Sequence, residues 1–303
     1  LRKEIVNLPA SIQARLKNIA KDRGLPVQVI LQHYALERFL YRLSQTDYKE
    51  DFVLRGGLIF AGWGIDLRRP TLDIDLLGYT TTATDSLERI TREICKYPVE
   101  PDGLRFDLES IHGEDIMEIR EYPGVRVKFD GYLGDVNIRM QIDFGFDDQI
   151  TPNSIDIQYP TILDLPPPIL YGYPYETLIA EKMQSLTILG DANTRMKDFY
   201  DIWLLSHQVE LEGETLSAAI LNTFKKRNTE IPRNLSEAIS DKYAIRQENQ
   251  WQAFLCNSNL DQKDIPNFEQ VIAEIKKFID PILSEASQGI RLISNWNPSG
   301  YWE

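Results

Sequence analysis

A chain of 303 residues is long enough for one large domain or two of ordinary size. Its 43% apolar and 26% charged residues are the balance of a globular protein with a real core, and no run approaches the roughly 20 apolar residues a membrane helix needs. A net charge of −13 argues against a broad basic surface for bulk DNA, while leaving room for a local basic cleft or an acidic face matched by a basic protein partner.

Leu1-Arg2-Lys3-Glu4 lacks the apolar stretch of a secretory signal. Cys95 and Cys256 are too few and too isolated for a disulfide framework or a cysteine-type zinc site, and both are expected as buried thiols in a reducing, cytoplasmic compartment. His33, His112 and His207 are widely separated and give little support to a histidine-built metal site.

In chain order, residues 8–23 and 26–44 predict two amphipathic helices, with Pro9 and Ser11 suiting a helix start, Gly24 its end and Pro26 the next opening. The apolar run Phe52-Val53-Leu54 then meets Gly56-Gly57, ahead of a predicted helix over 58–64, a strand over 72–77 and a helix over 84–96. From 104 to about 144 the pattern has period two, clearest in Leu104–Phe106, Val125–Val127 and Ile138–Phe144. Tyr159–Pro174 carries Pro160, Pro166, Pro167 and Pro168, a density that reads as a linker without regular structure. Beyond it the pattern is helical over 175–189, 196–207, 213–227, 234–256 and 267–286. The economical organisation is an α/β half, residues 1–165, followed by a helical half, residues 166–303.

On a strand, Leu72, Ile74 and Leu76 share one face, and Asp73 and Asp75 the other. Two carboxylates about 7 Å apart repel unless water or a cation offsets them, and hard divalent ions take oxygen ligands of this kind together with substrate phosphates. A solvated strand face in an acidic protein is the plainer alternative. The next strand of interest repeats the design: Ile138, Met140, Ile142 and Phe144 on one face, Arg139, Gln141 and Asp143 on the other. If the two strands are neighbours, three carboxylates converge, two to hold metal and the third to accept a proton or complete a second metal shell. Gly56 and Gly57 would let backbone N–H groups approach a phosphate at a helix start, although an ordinary strand–helix turn needs such glycines as well.

Gly56-Gly57, fifteen residues, Asp73-Ile74-Asp75 and a later strand bearing Asp143 resemble the DNA polymerase β-type nucleotidyltransferase superfamily. Leu54-Arg55-Gly56-Gly57 and Arg69-Pro70-Thr71-Leu72-Asp73-Ile74-Asp75 are similar to the AbiEii/AbiGii-type toxin nucleotidyltransferases. So are Glu176–Lys182 and Arg195–Asp201, and the likeness covers roughly residues 50–205. Arg55 stands where many relatives carry lysine, and Gly57 where other branches use serine.

The resemblance implies an α+β fold with a polymerase β-type core, a mixed sheet flanked by helices, preceded by N-terminal helices and followed by a C-terminal helical domain. It implies an enzyme that transfers a nucleotide from an NTP to an acceptor hydroxyl with Mg2+ or Mn2+. The acceptor would be a tRNA 3′ end or a protein, and the setting a bacterial toxin–antitoxin or abortive-infection system with a cognate antitoxin. Asp73 and Asp75 would bind metal, and Asp143 would help activate the acceptor hydroxyl.

Lys182 lies off the apolar stripe of Ile179, Met183 and Leu186, where a compact cation could meet the triphosphate alongside Gly56 and Gly57; a surface lysine is the alternative. Asp198 and Asp201, three apart on the next helix, suggest either functional use, which the resemblance favours for Asp198, or pairing with Arg195 and Lys197. Arg69 could bind phosphate oxygens and Thr71 orient a carboxylate, with plain structural roles equally open. Trp251, Trp296, Tyr301 and Trp302 read as packing or a partner surface. The reading from a different class is a non-catalytic nucleotide-binding module that acts through a protein partner.

Overall fold

The computed structural model describes residues 7–67, 69–116, 124–240, 242–258, 260 and 264–303; the reading of Leu1–Glu4 lies outside them. The chain divides into two compact units, one of Leu1–Gly64, Pro70–Asp147 and Ile155–Gly172, the other of Ile65–Arg69, Asp148–Ser154 and Tyr173–Glu303.

The first unit opens with α1 (Leu8–Asp22) and α2 (Val27–Ser44). The Asn7 side chain caps α1 by accepting from the Ala10 N–H at 3.1 Å, and Ile12, Leu16 and Ala20, one turn apart, form its buried stripe. Along α2 even Glu37, Arg38 and Arg42 are buried, so it is a core helix rather than a two-sided one. Then follow β1 (Phe52–Arg55), the single-turn α3 (Ile59–Gly62), β2 (Ile74–Gly78), α4 (Thr84–Lys96), β3 (Leu104–Ile116), β4 (Gly124–Leu133), β5 (Val136–Phe146), β6 (Ile155–Gln158) and β7 (Ile169–Gly172). The seven strands form one mixed sheet in the order β3-β4-β5-β2-β1-β7-β6, with helices against it, as the α+β expectation requires. β3, β4 and β5 form an antiparallel meander, β2 joins β5 in parallel, and β1 is antiparallel to β2 and parallel to β7.

Two expectations need correction here. The strand starts at Ile74 rather than Leu72, and Leu72 is 53% exposed instead of sharing the buried face of Ile74 and Leu76. The proline-dense stretch also contains β7, because Ile169–Gly172 is clear of prolines and can use its N–H groups in the ladder. It is stitched to α2 as well. Arg38 donates to the Pro166 carbonyl at 2.9 Å, and Glu37 accepts from the Ile162 N–H at 2.7 Å. Arg42 grips Asp102 through two bonds of 2.6 and 3.1 Å, so these buried charges are paired.

The second unit holds α5 (Tyr175–Leu189), α6 (Met196–Gln208), β8 (Leu211–Glu212), α7 (Gly213–Lys226), α8 (Leu235–Ala238), α9 (Tyr243–Asn257), α10 (Phe268–Ala286), β9 (Asn295–Asn297) and β10 (Tyr301–Trp302). The helix expected over 234–256 is broken in two. Ile239 is extended, at φ −132° and ψ 138°, and is buried, while the next N–H, of Ser240, is taken by the Asp191 carboxylate at 2.8 Å. Burial of one apolar side chain outweighs helical continuity there. A three-stranded sheet, β10-β9-β8, was not foreseen, its strands being too short for a period to register. Trp251 stacks on Phe268 and Trp302 on Phe278, so both tryptophans serve packing. Cys256, expected to be buried, is exposed near the end of α9, while Cys95 is partly buried. No described helix is long and apolar enough to cross a membrane.

Candidate active site

The pairing of β2 with β5 sets Asp75 opposite Asp143 and Ile74 opposite Ile142. The isoleucines go to the core, so both carboxylates stand on the opposite face of the sheet. Asp73 immediately precedes β2. One oxygen from each of Asp73, Asp75 and Asp143 lies within 4.8 Å of the others, and all three residues are half-buried. Among the described residues this is the one converging group of three or more acidic, histidine or cysteine side chains. An all-carboxylate set of this spacing fits a hard divalent cation, for which charge and oxygen donors matter more than softness.

The two-glycine turn is pressed against this cluster. Gly56 has φ +67°, and a Cβ there would stand 1.9 Å from Asp75 Oδ2; a Cβ on Gly57 would stand 2.5 Å from Thr71 Oγ1. Backbone conformation and contact therefore both demand glycine at Gly56. Gly56→Ala is expected to push the Asp75 carboxylate aside and weaken Mn2+ binding by about 10- to 100-fold, the range for displaced ligand supports. A titration followed by water-proton relaxation reads this directly, and unchanged affinity would contradict it.

The segment leading to Asp73 is held by α2 through residues the sequence reading did not single out for the site. The Gln32 amide donates to the Leu72 carbonyl at 3.2 Å and to the Arg139 carbonyl at 2.8 Å, tying the approach to Asp73 onto β5. Burial, the largest influence, holds the His33 imidazole below the ordinary range, with the Thr71 backbone acting against it. Thr71 itself is buried, and its Oγ1 has no hydrogen-bond partner among the described residues. The only available signal was a glutamine inside a helix that is otherwise core. Arg126 was missed too: it lies opposite Asp143 on β4 and grips both carboxylate oxygens. Gln141 adds a longer contact of 3.2 Å to the same group. Gln141 and Leu72 also line an open cavity of about 630 Å³, together with Lys128 and Arg139.

In the second unit, Lys182 on α5 meets Asp198 at 2.6 Å and Asp201 at 2.9 Å, both on α6. Asp201 has no exposed surface and also receives the fork of Arg69, Nε to Oδ1 at 2.9 Å and Nη2 to Oδ2 at 2.7 Å. The expected pairing of these acids is thus realised with Lys182 and Arg69 rather than with Arg195 and Lys197. Burial, the largest single influence, pushes the Asp201 carboxyl up, and Arg69 and Lys182 together more than reverse it, leaving it below the usual range. A carboxyl that titrates lower in the folded chain contributes its full stability above its unfolded value, about pH 4, and loses it as pH falls toward the folded value. Urea unfolding between pH 6 and 3 is therefore expected to show falling stability toward the acid end, less steeply in Asp201→Asn.

A family model described as "Nucleotidyl transferase AbiEii toxin, Type IV TA system" matches residues 38–274. The chain belongs to this AbiEii family. The match takes in all the residues read from the AbiEii-like blocks, while Gln32 and His33 precede it. No curated protein sequence matches the chain. Two solved structures align with it. "Crystal structure of putative nucleotidyltransferase from H. pylori" is 12% identical, with a TM-score of 0.47 over 88% of this chain and 98% of that one. "Crystal structure of JHP933 from Helicobacter pylori" has the same identity and TM-score over 88% of this chain and 95% of that one.

Proposed function

We propose that this AbiEii-family protein is a metal-dependent nucleotidyltransferase that moves a nucleotide from an NTP onto an acceptor hydroxyl, on a tRNA 3′ end or a protein. Its setting would be a toxin–antitoxin or abortive-infection system in which a cognate antitoxin restrains it. The observation that carries this reading is the convergence of Asp73, Asp75 and Asp143 beside the Gly56-Gly57 turn.

In this scheme the acceptor oxygen bonds to the α-phosphorus, the bond to pyrophosphate breaks, and the hydroxyl proton passes to Asp143. Asp73, Asp75 and Asp143 would hold Mg2+ or Mn2+, whose contribution is to neutralise charge on the phosphates and to polarise the acceptor hydroxyl. The protein's own task is positioning, the larger part of catalysis in phosphoryl-type transfer. Backbone at Gly56 and Gly57 can come close to phosphate oxygens because no side chain intervenes. Thr71 fills the space over Gly57. Lys182 is assigned to the triphosphate and Asp198 to its support, with Arg69 holding Asp201 through Nε and Nη2.

Incubation of the purified protein with labelled NTPs, Mg2+ and total tRNA tests the reading, with protein from the same cells as a second acceptor pool. Wild type is expected to label one pool, and sequencing tRNA 3′ ends after expression would identify the added base. If neither pool takes label and expression of wild type is as harmless as that of Asp73→Ala, the reading is wrong. Tight metal-dependent NTP binding without turnover would instead favour the binding module.

A further inference from the structure

We infer that Arg126 is a built-in competitor for the cation at the third carboxylate, lowering the affinity of the triad for metal alone. The inference rests on the metal reading of Asp73, Asp75 and Asp143. It starts from the β4–β5 register, in which Arg126 is the direct cross-strand neighbour of Asp143. Nε donates to Oδ1 at 2.8 Å and Nη2 to Oδ2 at 2.6 Å, a two-bond fork that takes a lone pair on each oxygen. A carboxylate so held has at most half of its acceptor capacity left, and the Gln141 amide draws on that remainder. A divalent ion ligated by the same group would also stand within a few ångströms of a fixed positive charge.

The surroundings make Arg126 a charge effect more than a scaffold. Arg126 and Asp143 keep 32% and 17% of their side-chain surface exposed, so the pair is not a core element. Gln141 also donates to Asp143, at 3.2 and 3.4 Å, a contact that does not pass through the guanidinium. Across β3, Glu114 faces Arg126 in register but is paired with Lys128.

The test is Mn2+ binding to the whole protein without nucleotide, followed by water-proton relaxation. Arg126→Gln, which keeps a neutral donor, is expected to bind Mn2+ about tenfold more tightly than wild type, as removal of a nearby like charge should allow. Arg126→Lys keeps the charge without the fork and is expected to stay near wild type. Because the pair is partly exposed, the gain in Arg126→Gln should shrink as NaCl is raised. A scaffold role would instead weaken binding in both variants. Asp143→Asn separates the two levels of the claim. If it binds Mn2+ as wild type does, the triad is not the metal site and the inference falls with it. If it loses binding while Arg126→Gln is equal to or weaker than wild type, the inference alone is overturned.

Discussion

Asp73→Ala is expected to reduce nucleotide transfer by ~10³-fold or more, about 4 kcal/mol of transition-state stabilisation, the scale on which a bound metal acts. Asp73 lies just outside the β2 ladder, and its carboxylate is one of three like charges within 4.8 Å of each other. Its removal takes away repulsion in the metal-free protein, so the melting temperature should hold or rise while transfer disappears. That pairing of outcomes separates loss of chemistry from loss of fold. Cells expressing the variant should tolerate it where they do not tolerate wild type. Transfer within about tenfold of wild type would remove Asp73 from the metal set, since one pKa-sized unit of 1.4 kcal/mol is too little for a lost ligand.

Asp201→Ala is expected to have the largest effect on stability, about 3–5 kcal/mol lost in urea unfolding, the cost of leaving buried charges without their partner. Asp201 has no exposed surface and receives both Arg69 and Lys182, whose side chains are 9% and 11% exposed. Without the carboxylate, two cations remain together in a site with little water, and only Asp198 is left to meet Lys182. Arg69→Met in the Asp201→Ala background should recover part of the loss, because it removes one stranded charge and fills the space with an apolar side chain. A loss under 1 kcal/mol would mean that water reaches the cluster and that the network contributes little. Lys182→Met supplies a useful contrast: if Lys182 serves the triphosphate, KM for NTP rises by more than the change in stability explains.

Much of the candidate site was legible because its signals are local. Period-two alternation in Ile138–Phe144 assigned Asp143 to the polar face of β5 before any partner strand was known, and burial follows that alternation residue by residue. The glycine pair, the Asp-x-Asp and the two helical blocks are short contiguous stretches that resemble the AbiEii type one by one, and the family match over residues 38–274 takes in all of them. Where local and non-local demands disagree, the local reading failed. Leu72 looks like a strand residue and stays exposed because the ladder begins two positions later. Ile239 sits inside a helical pattern and breaks it, since an extended backbone delivers its side chain to the core.

The sequence by itself singled out Asp73, Asp75 and Asp143 as side chains that could serve a metal, and it assigned Asp75 and Asp143 to the polar face of their strands, because a strand alternates regardless of its neighbours. Only the tertiary structure decided that β2 and β5 lie side by side with Asp75 opposite Asp143, that Arg126 takes the place across from that carboxylate, and that Arg69 and Lys182 share Asp201. Strand order and ion-pair partnership are chosen by the burial of apolar surface between segments far apart in the chain. That choice leaves no period in the sequence of either segment taken alone.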